Sequence, residues 1–194
     1  MSPIPEAWRT ERARIASVRS VEAPELAAVF RACADVASLD PTFEPVETAE
    51  ILALVEESER DRGAARGFRM QSIRLQGDDE VIGYYHLRED VPRPGVVALT
   101  IFLLRPEFRR GGYGREVAGA LLGHLRADTA NRAAWARVFL ENRRALAFWT
   151  ALGFRSIVEH KGATVHETGE GRASIILEAD FAKDLSPTEG ARLP

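Results

Sequence analysis

The chain has 194 residues, enough for one domain with a sizeable core, and its 45% hydrophobic and 28% charged content is that of a globular protein. A formal net charge of −3 argues against nucleic acid as the main partner; no apolar stretch approaches the ~20 residues of a bilayer span, and the start MSPIPEAWRTERAR lacks the apolar centre of a secretion signal, so a cytoplasmic protein without membrane contact is expected. Cys33 is the single cysteine, which excludes an intramolecular disulfide and a cysteine-based metal cluster; it reads as a small buried residue on a helix face, and no metal is expected.

Residues 1–11 carry two prolines and little pattern and read as an N-terminal arm; 12–182 form the domain, and the polar 183–194 a flexible tail. Arg14–Arg19 is a first strand. Ala23–Asp35 reads as a helix, because Leu26, Val29, Phe30 and Cys33 recur at helical spacing. A second helix runs over Thr48–Arg60, with Ile51, Leu52 and Val55 on one face, and Gly63–Gly67 breaks it. Phe68, Met70, Ile73 and Leu75 mark a strand with a phase slip near Ser72, the signature of a bulge. A turn at 77–79 joins it to Val81–Leu87 as a hairpin. Val96–Leu104 is almost wholly apolar, as a strand covered on both faces should be. The next helix carries Val117, Ala118, Leu121, Leu122 and Leu125 as an apolar stripe. Ala134–Leu140 is a strand; Asn142 caps the following helix and Gly153 ends it. Ile157–Val165 and Ala173–Ala179 are the last strands. The strand–helix–strand unit in the middle demands parallel pairing with a right-handed crossover, and the hairpins around it demand antiparallel pairing. The fold class is therefore α/β: a single domain with a mixed, mostly antiparallel sheet flanked by helices.

Between the apolar strand and the helix after it stands RRGGYG, residues 109–114. Gly112 and Gly114 remove two side chains from a tight turn, so the backbone there can approach a ligand. The helix start adds free N–H groups and a positive dipole end, which together suit a phosphate or pyrophosphate. Arg109, Arg110 and Arg115 reinforce the sign. An ordinary strand-to-helix turn reads the same way in isolation. GxxxxGK[ST] and GxGxxG are both absent, which removes the main support for nucleotide hydrolysis and dinucleotide binding.

LTIFLLRPEFRRGGYG at 99–114 and ENRRALAFWTALGF at 141–154 resemble the two central motifs of the GNAT superfamily of N-acetyltransferases. Arg109, Gly112 and Gly114 fall on the first motif; Asn142, Ala145, Phe148, Gly153 and Phe154 fall on the second. The resemblance covers about residues 96–155 and implies the acyl-CoA N-acyltransferase fold, acetyl-CoA as donor cosubstrate and a primary amine of a small molecule or peptide as acceptor; it also allows a homodimer. It implies that the CoA pyrophosphate rests on the loop formed by Arg109, Arg110, Gly111, Gly112, Tyr113, Gly114 and Arg115. The pantetheine arm then lies along Phe102, Leu103 and Leu104, with Asn142 and Trp149 at the cofactor. The Leu104 backbone N–H would stabilise the oxyanion, worth ~3 kcal/mol.

Two departures from the family pattern bear on the chemistry. The tyrosine that many members use as general acid is Trp149 here, and an indole N–H is no proton donor near neutral pH. The glutamate that others use as base falls at Ala98. Either positioning and oxyanion stabilisation suffice, or a base comes from Glu141, Tyr84, Tyr85, His86, Glu89, His160 or Glu167. Glu141, where the strands should part, is the first candidate. From Asp35 to Asp61 nine acids face one base, Arg60. As a wall of the acceptor cleft they would favour a cationic acceptor, and as a solvated helix face they would favour nothing. A non-catalytic acyl-CoA sensor of the same fold and an unrelated phosphate-binding protein are the competing functions.

Overall fold

The structure, a computed structural model, describes residues 4–44, 46–165 and 171–182. Glu167 and the tail 183–194 lie outside the described residues. The elements in chain order are β1 (Ala7–Arg9), β2 (Ala13–Ser17), α1 (Ala23–Ala32), α2 (Thr48–Arg60), β3 (Phe68–Leu75), β4 (Val81–Glu89), β5 (Val96–Leu104), α3 (Tyr113–Ala127), β6 (Ala133–Phe139), α4 (Arg143–Ala151), β7 (Ser156–Val165) and β8 (Gly171–Asp180). The strands form one sheet in the order β1-β2-β3-β4-β5-β6-β8-β7. Among the described strands only β5 and β6 pair in parallel; α3 makes the crossover between them.

Each helix exists because the sheet needs its apolar stripe. Leu26, Val29 and Phe30 of α1 and Ile51 and Val55 of α2 cover one face, against Phe68, Met70, Tyr84 and Leu103. Val117, Leu121, Leu122 and Leu125 of α3 and Trp149 of α4 cover the other, against Ile15, Ile73, Tyr85, Val97 and Leu104. α2 opens with a reciprocal cap in which the Glu47 N–H donates to the Glu50 carboxylate at 2.8 Å. α1 stops at Ala32, short of Asp35, and the chain continues as a 3-10 turn over Ala34–Ser38.

Three local departures from the sequence reading have simple causes. Within the segment read as an arm, Ala7–Arg9 pair with β2, and Ile4 and Trp8 are buried. The Trp8 indole donates to Gln71 at 2.9 Å, so one large side chain with a polar handle pins an otherwise featureless stretch. The β3 slip lies between Ile73 and Arg74, just past Ser72. β5 is covered on both faces only at its ends: Thr100 is exposed and Ile101 and Phe102 half-buried.

Candidate active site

β5 and β6 pair from Val96–Leu99 to Ala133–Ala136 and then part. Beyond that point Thr100–Leu104 stays on β4, while Arg137–Phe139 stays on β8. The sheet therefore splits into a wedge with its apex at Leu99 and Ala136. The Arg105 N–H donates to the Ile82 carbonyl on the β4 side at 2.9 Å. Amides alternate along a strand, so the Leu104 and Phe102 N–H groups point the other way, into the gap.

The glycine loop closes the wide end. Arg110 and Gly112 both have positive φ (65° and 88°), and Gly112 caps α3. The Glu116 N–H donates to the Gly112 carbonyl at 3.0 Å, so the N–H groups of Tyr113, Gly114 and Arg115 precede the intrahelical ladder. Gly111, Gly112 and the Arg110 and Arg115 side chains are exposed, and among the described residues no carboxylate pairs with either arginine. Gly114 joins loop to strand: a Cβ there would stand 3.4 Å from both the Leu104 Cδ1 and the Phe148 Cε2 atoms.

Arg109 turns inward. Its Nε donates to the Leu104 carbonyl at 2.8 Å, and its guanidinium meets the Asp35 carboxylate at 2.5 Å. It therefore fixes the strand end instead of lending charge to the loop's outer surface. The Cys33 thiol also donates to the Leu104 carbonyl at 3.3 Å, and burial pushes that thiol up. A second arginine, unmarked by any motif, holds the loop from outside. The Arg12 Nη1 donates to the Gly111 carbonyl at 2.8 Å, its N and Nε donate to Glu116 at 2.9 and 2.7 Å, and its guanidinium lies 4.4 Å over the Tyr113 ring.

On the α4 side the Asn142 Oδ1 accepts from the Ala145 N–H at 3.0 Å, the cap that its position suggests. Trp149 is 8% exposed and packs among Phe102, Phe148 and Phe154, with ring centroids at 6.0, 4.9 and 5.0 Å. It lines the gap as an aromatic wall. Glu141 is exposed, in the turn between β6 and α4 at the wide end. Tyr84 and Tyr85 are both fully buried, on opposite faces, and burial raises both hydroxyls. The Tyr85 O–H donates to Gln71, and the Tyr84 hydroxyl has no partner among the described residues. Glu89 pairs opposite Val97, on the closed side of the apex, 3.5 Å from Arg69. Its carboxyl is pushed up by burial, against the opposing charges of Arg69 and Arg66. His86 stands opposite the start of the gap; burial, with Arg88 beside it, lowers its imidazole to about 4.

The acidic stretch is mostly spoken for. Asp35 pairs with Arg109 and Glu57 with Arg88; Glu59 binds the Ser20 hydroxyl at 2.6 Å, and Asp61 accepts from the Phe68 N–H at 2.8 Å. Asp40 accepts from Thr42, and Glu47 and Glu50 cap α2. Glu44 and Glu56 remain without a partner among the described residues.

A parallel pair that splits beneath a glycine-capped helix is the geometry that the two motifs suggested. Residues 35–154 match the family model described as Acetyltransferase (GNAT) family. The chain belongs to the GNAT acetyltransferase family. Compared with curated protein sequences, it matches none. Solved structures share the fold. A GNAT-family acetyltransferase from Bacillus anthracis superposes with a TM-score of 0.73 at 14% identity, covering 91% of this chain and 99% of that one. A probable GNAT acetyltransferase from Chromobacterium violaceum gives 0.74 at 15%, covering 94% and 90%. An acetyltransferase from Thermus thermophilus gives 0.64 at 20%, covering 87% and 98%. GNAT membership assigns acyl transfer as the general chemistry of the chain. Among the described residues, no helix is long and apolar enough to cross a membrane.

Proposed function

We propose that the protein transfers an acetyl group from acetyl-CoA to a primary amine. The observation that carries this reading is the wedge between β5 and β6, open along Thr100–Leu104 and lined by inward N–H groups, with the Gly112-capped helix at its mouth. The N–H groups of residues 110–115 would hold the pyrophosphate, helped by Arg110 and Arg115, which pair with no carboxylate among the described residues. The edge Phe102–Leu104 would take the pantetheine arm as an added strand, against Trp149, with Asn142 at its side. A thioester carbonyl laid against one of the two inward N–H groups would be polarised, a contribution of about 3 kcal/mol.

The family resemblance implies the oxyanion role for the Leu104 N–H. The depth of the gap supports Phe102 for that role and Leu104 for the arm, because Gly114 touches Leu104 directly beneath the loop. No carboxylate points from β5 into the gap, so positioning and oxyanion stabilisation carry the acyl step in this reading. Glu141 could act only from the wide end. A cationic acceptor draws support from Glu44 and Glu56 alone, since the other acids of that stretch already have partners.

Thermal unfolding with acetyl-CoA, ATP and NAD, followed by thiol release with a panel of neutral, cationic and carboxylate-bearing primary amines, tests the reading. Stabilisation by acetyl-CoA alone, with thiol release on at least one amine, is expected. Stabilisation without thiol release on any amine would mean a binding module. Stabilisation by ATP or NAD instead would overturn the donor. Glu141→Gln with an unchanged pH–rate profile would remove that carboxylate as base.

A further inference from the structure

β5 carries one residue more than β4 across their pairing. His86 pairs with Ile101 and Leu87 with Leu99, which leaves Thr100 as the extra residue of a bulge. Thr100 is also the first residue of β5 beyond its last pair with β6. The bulge therefore sits at the apex of the gap and leaves Thr100 exposed beside it, its hydroxyl turned to His86. That hydroxyl lies 2.5 Å from the His86 Nδ1 and 3.1 Å from the His86 carbonyl oxygen. His86 is 8% exposed and packs against the Phe68 ring at 5.2 Å. The charged groups around it are Arg88 of β4 and Glu57 of α2, which pair with each other at 2.6 Å. Among the described residues no carboxylate is hydrogen-bonded to the imidazole.

We infer that Thr100 and His86 together take the proton from the acceptor amine, Thr100 touching the amine and His86 acting behind it. The inference rests on the acetyl-transfer reading above. Thr100 lies two residues from the Phe102 amide, about 7 Å along the strand, a span that the amine nitrogen and its new bond to the acyl carbon bridge. The amine enters having left one proton in solvent. Its lone pair attacks the thioester carbonyl carbon; the C–N bond forms and the carbonyl π pair moves to oxygen. The nitrogen, now cationic, gives a proton to the Thr100 Oγ1 atom while the hydroxyl's own proton moves to the His86 Nδ1. The C=O bond re-forms, the C–S bond breaks, and its electron pair leaves on sulfur as CoA thiolate. The imidazolium returns its proton to solvent before the next turnover. A buried imidazole held neutral is suited to this, because the nitrogen of the tetrahedral adduct is far more acidic than a free ammonium. Thr100 is the catalytic residue of the pair and His86 the positioning residue.

The test uses the full chain with Thr100→Val, Thr100→Ser and His86→Gln. Acetyl-CoA binding is followed by thermal shift, thiol release by the fastest amine of the panel from about pH 3 to 9, a range that takes in the limb His86 would set near 4, and the imidazole by proton NMR. Thr100→Val is expected to lose about 100-fold or more in turnover, to keep its acetyl-CoA shift, to lose the acid limb of the pH profile and to move the His86 resonance. Thr100→Ser should restore most of the rate and the limb. His86→Gln should match Thr100→Val; if it does not fold, Thr100→Val, at an exposed position, decides alone. Thr100→Val with wild-type rate and profile would overturn the pair while leaving acetyl transfer intact. A wild-type protein that binds acetyl-CoA and releases thiol with no amine would overturn both.

Discussion

Gly112→Ala tests whether the loop's backbone shape, and not merely its lack of bulk, makes the donor site. Gly112 has a φ of 88°, in the left-handed region, where an L-residue costs about 1–2 kcal/mol. A Cβ at Gly112 would meet only the Arg12 Nη2 atom, at 3.0 Å, the end of a flexible side chain, so the backbone supplies most of the cost. For a chain of this size that is a melting temperature lower by about 2–8 °C. Any relaxation of φ also swings the Tyr113–Arg115 N–H groups away from a common point. Losing one such bond to a phosphate removes about 1.5–3 kcal/mol, at least tenfold in affinity. Gly111→Ala is the control: its φ is not positive, and its Cβ would rest 3.4 Å from the Tyr113 ring. It should stay within about 0.5 kcal/mol of wild type. Calorimetric melting without ligand and titration with acetyl-CoA measure both quantities. Gly112→Ala indistinguishable from Gly111→Ala in both would refute the reasoning.

Asn142→Ala should cost about 1 kcal/mol through the lost cap on Ala145, and Asn142→Asp should keep most of it, by urea denaturation. Gln71→Leu strips the Trp8 N–H and the Tyr85 O–H of their shared acceptor and should cost about 2–4 kcal/mol; a loss under about 1 kcal/mol would show that water replaces it. His86 has a folded value of about 4 against an ordinary 6.5, so the unfolded chain binds the extra proton between them. Stability should fall by about 3 kcal/mol as pH drops from 6.5 to 4 and no further below, and His86→Gln should flatten that window in pH-dependent denaturation.

The elements that sequence locates well are those whose pattern is dictated by burial alone. Val96–Leu104 and Thr48–Arg60 have the bounds that their apolar content implies. β1 has no such pattern in three residues, and the only hint was Trp8, too large to leave in water on a short polar segment. The glycine loop and the Asn142 cap were legible because each answers a local demand of a helix end. The parting of β5 from β6 was not, because Arg137–Phe139 reads as strand whichever neighbour it pairs with. The Thr100–His86 contact depends on a one-residue slip between two strands that a sequence pattern does not register. The acidic stretch misleads for a related reason: its arginine and serine partners, Arg109, Arg88 and Ser20, come from distant parts of the chain.

The Arg12 strap has a thermodynamic consequence. Arg12 lies in the turn between β1 and β2, and it grips Gly111 and Glu116 on either side of the loop's free N–H groups. Docking of the first hairpin and ordering of the loop are then one equilibrium seen from two ends, and linkage makes their coupling reciprocal. A ligand held by the loop would disfavour the fraying of residues 4–12 by the same free energy that their fraying takes from its binding.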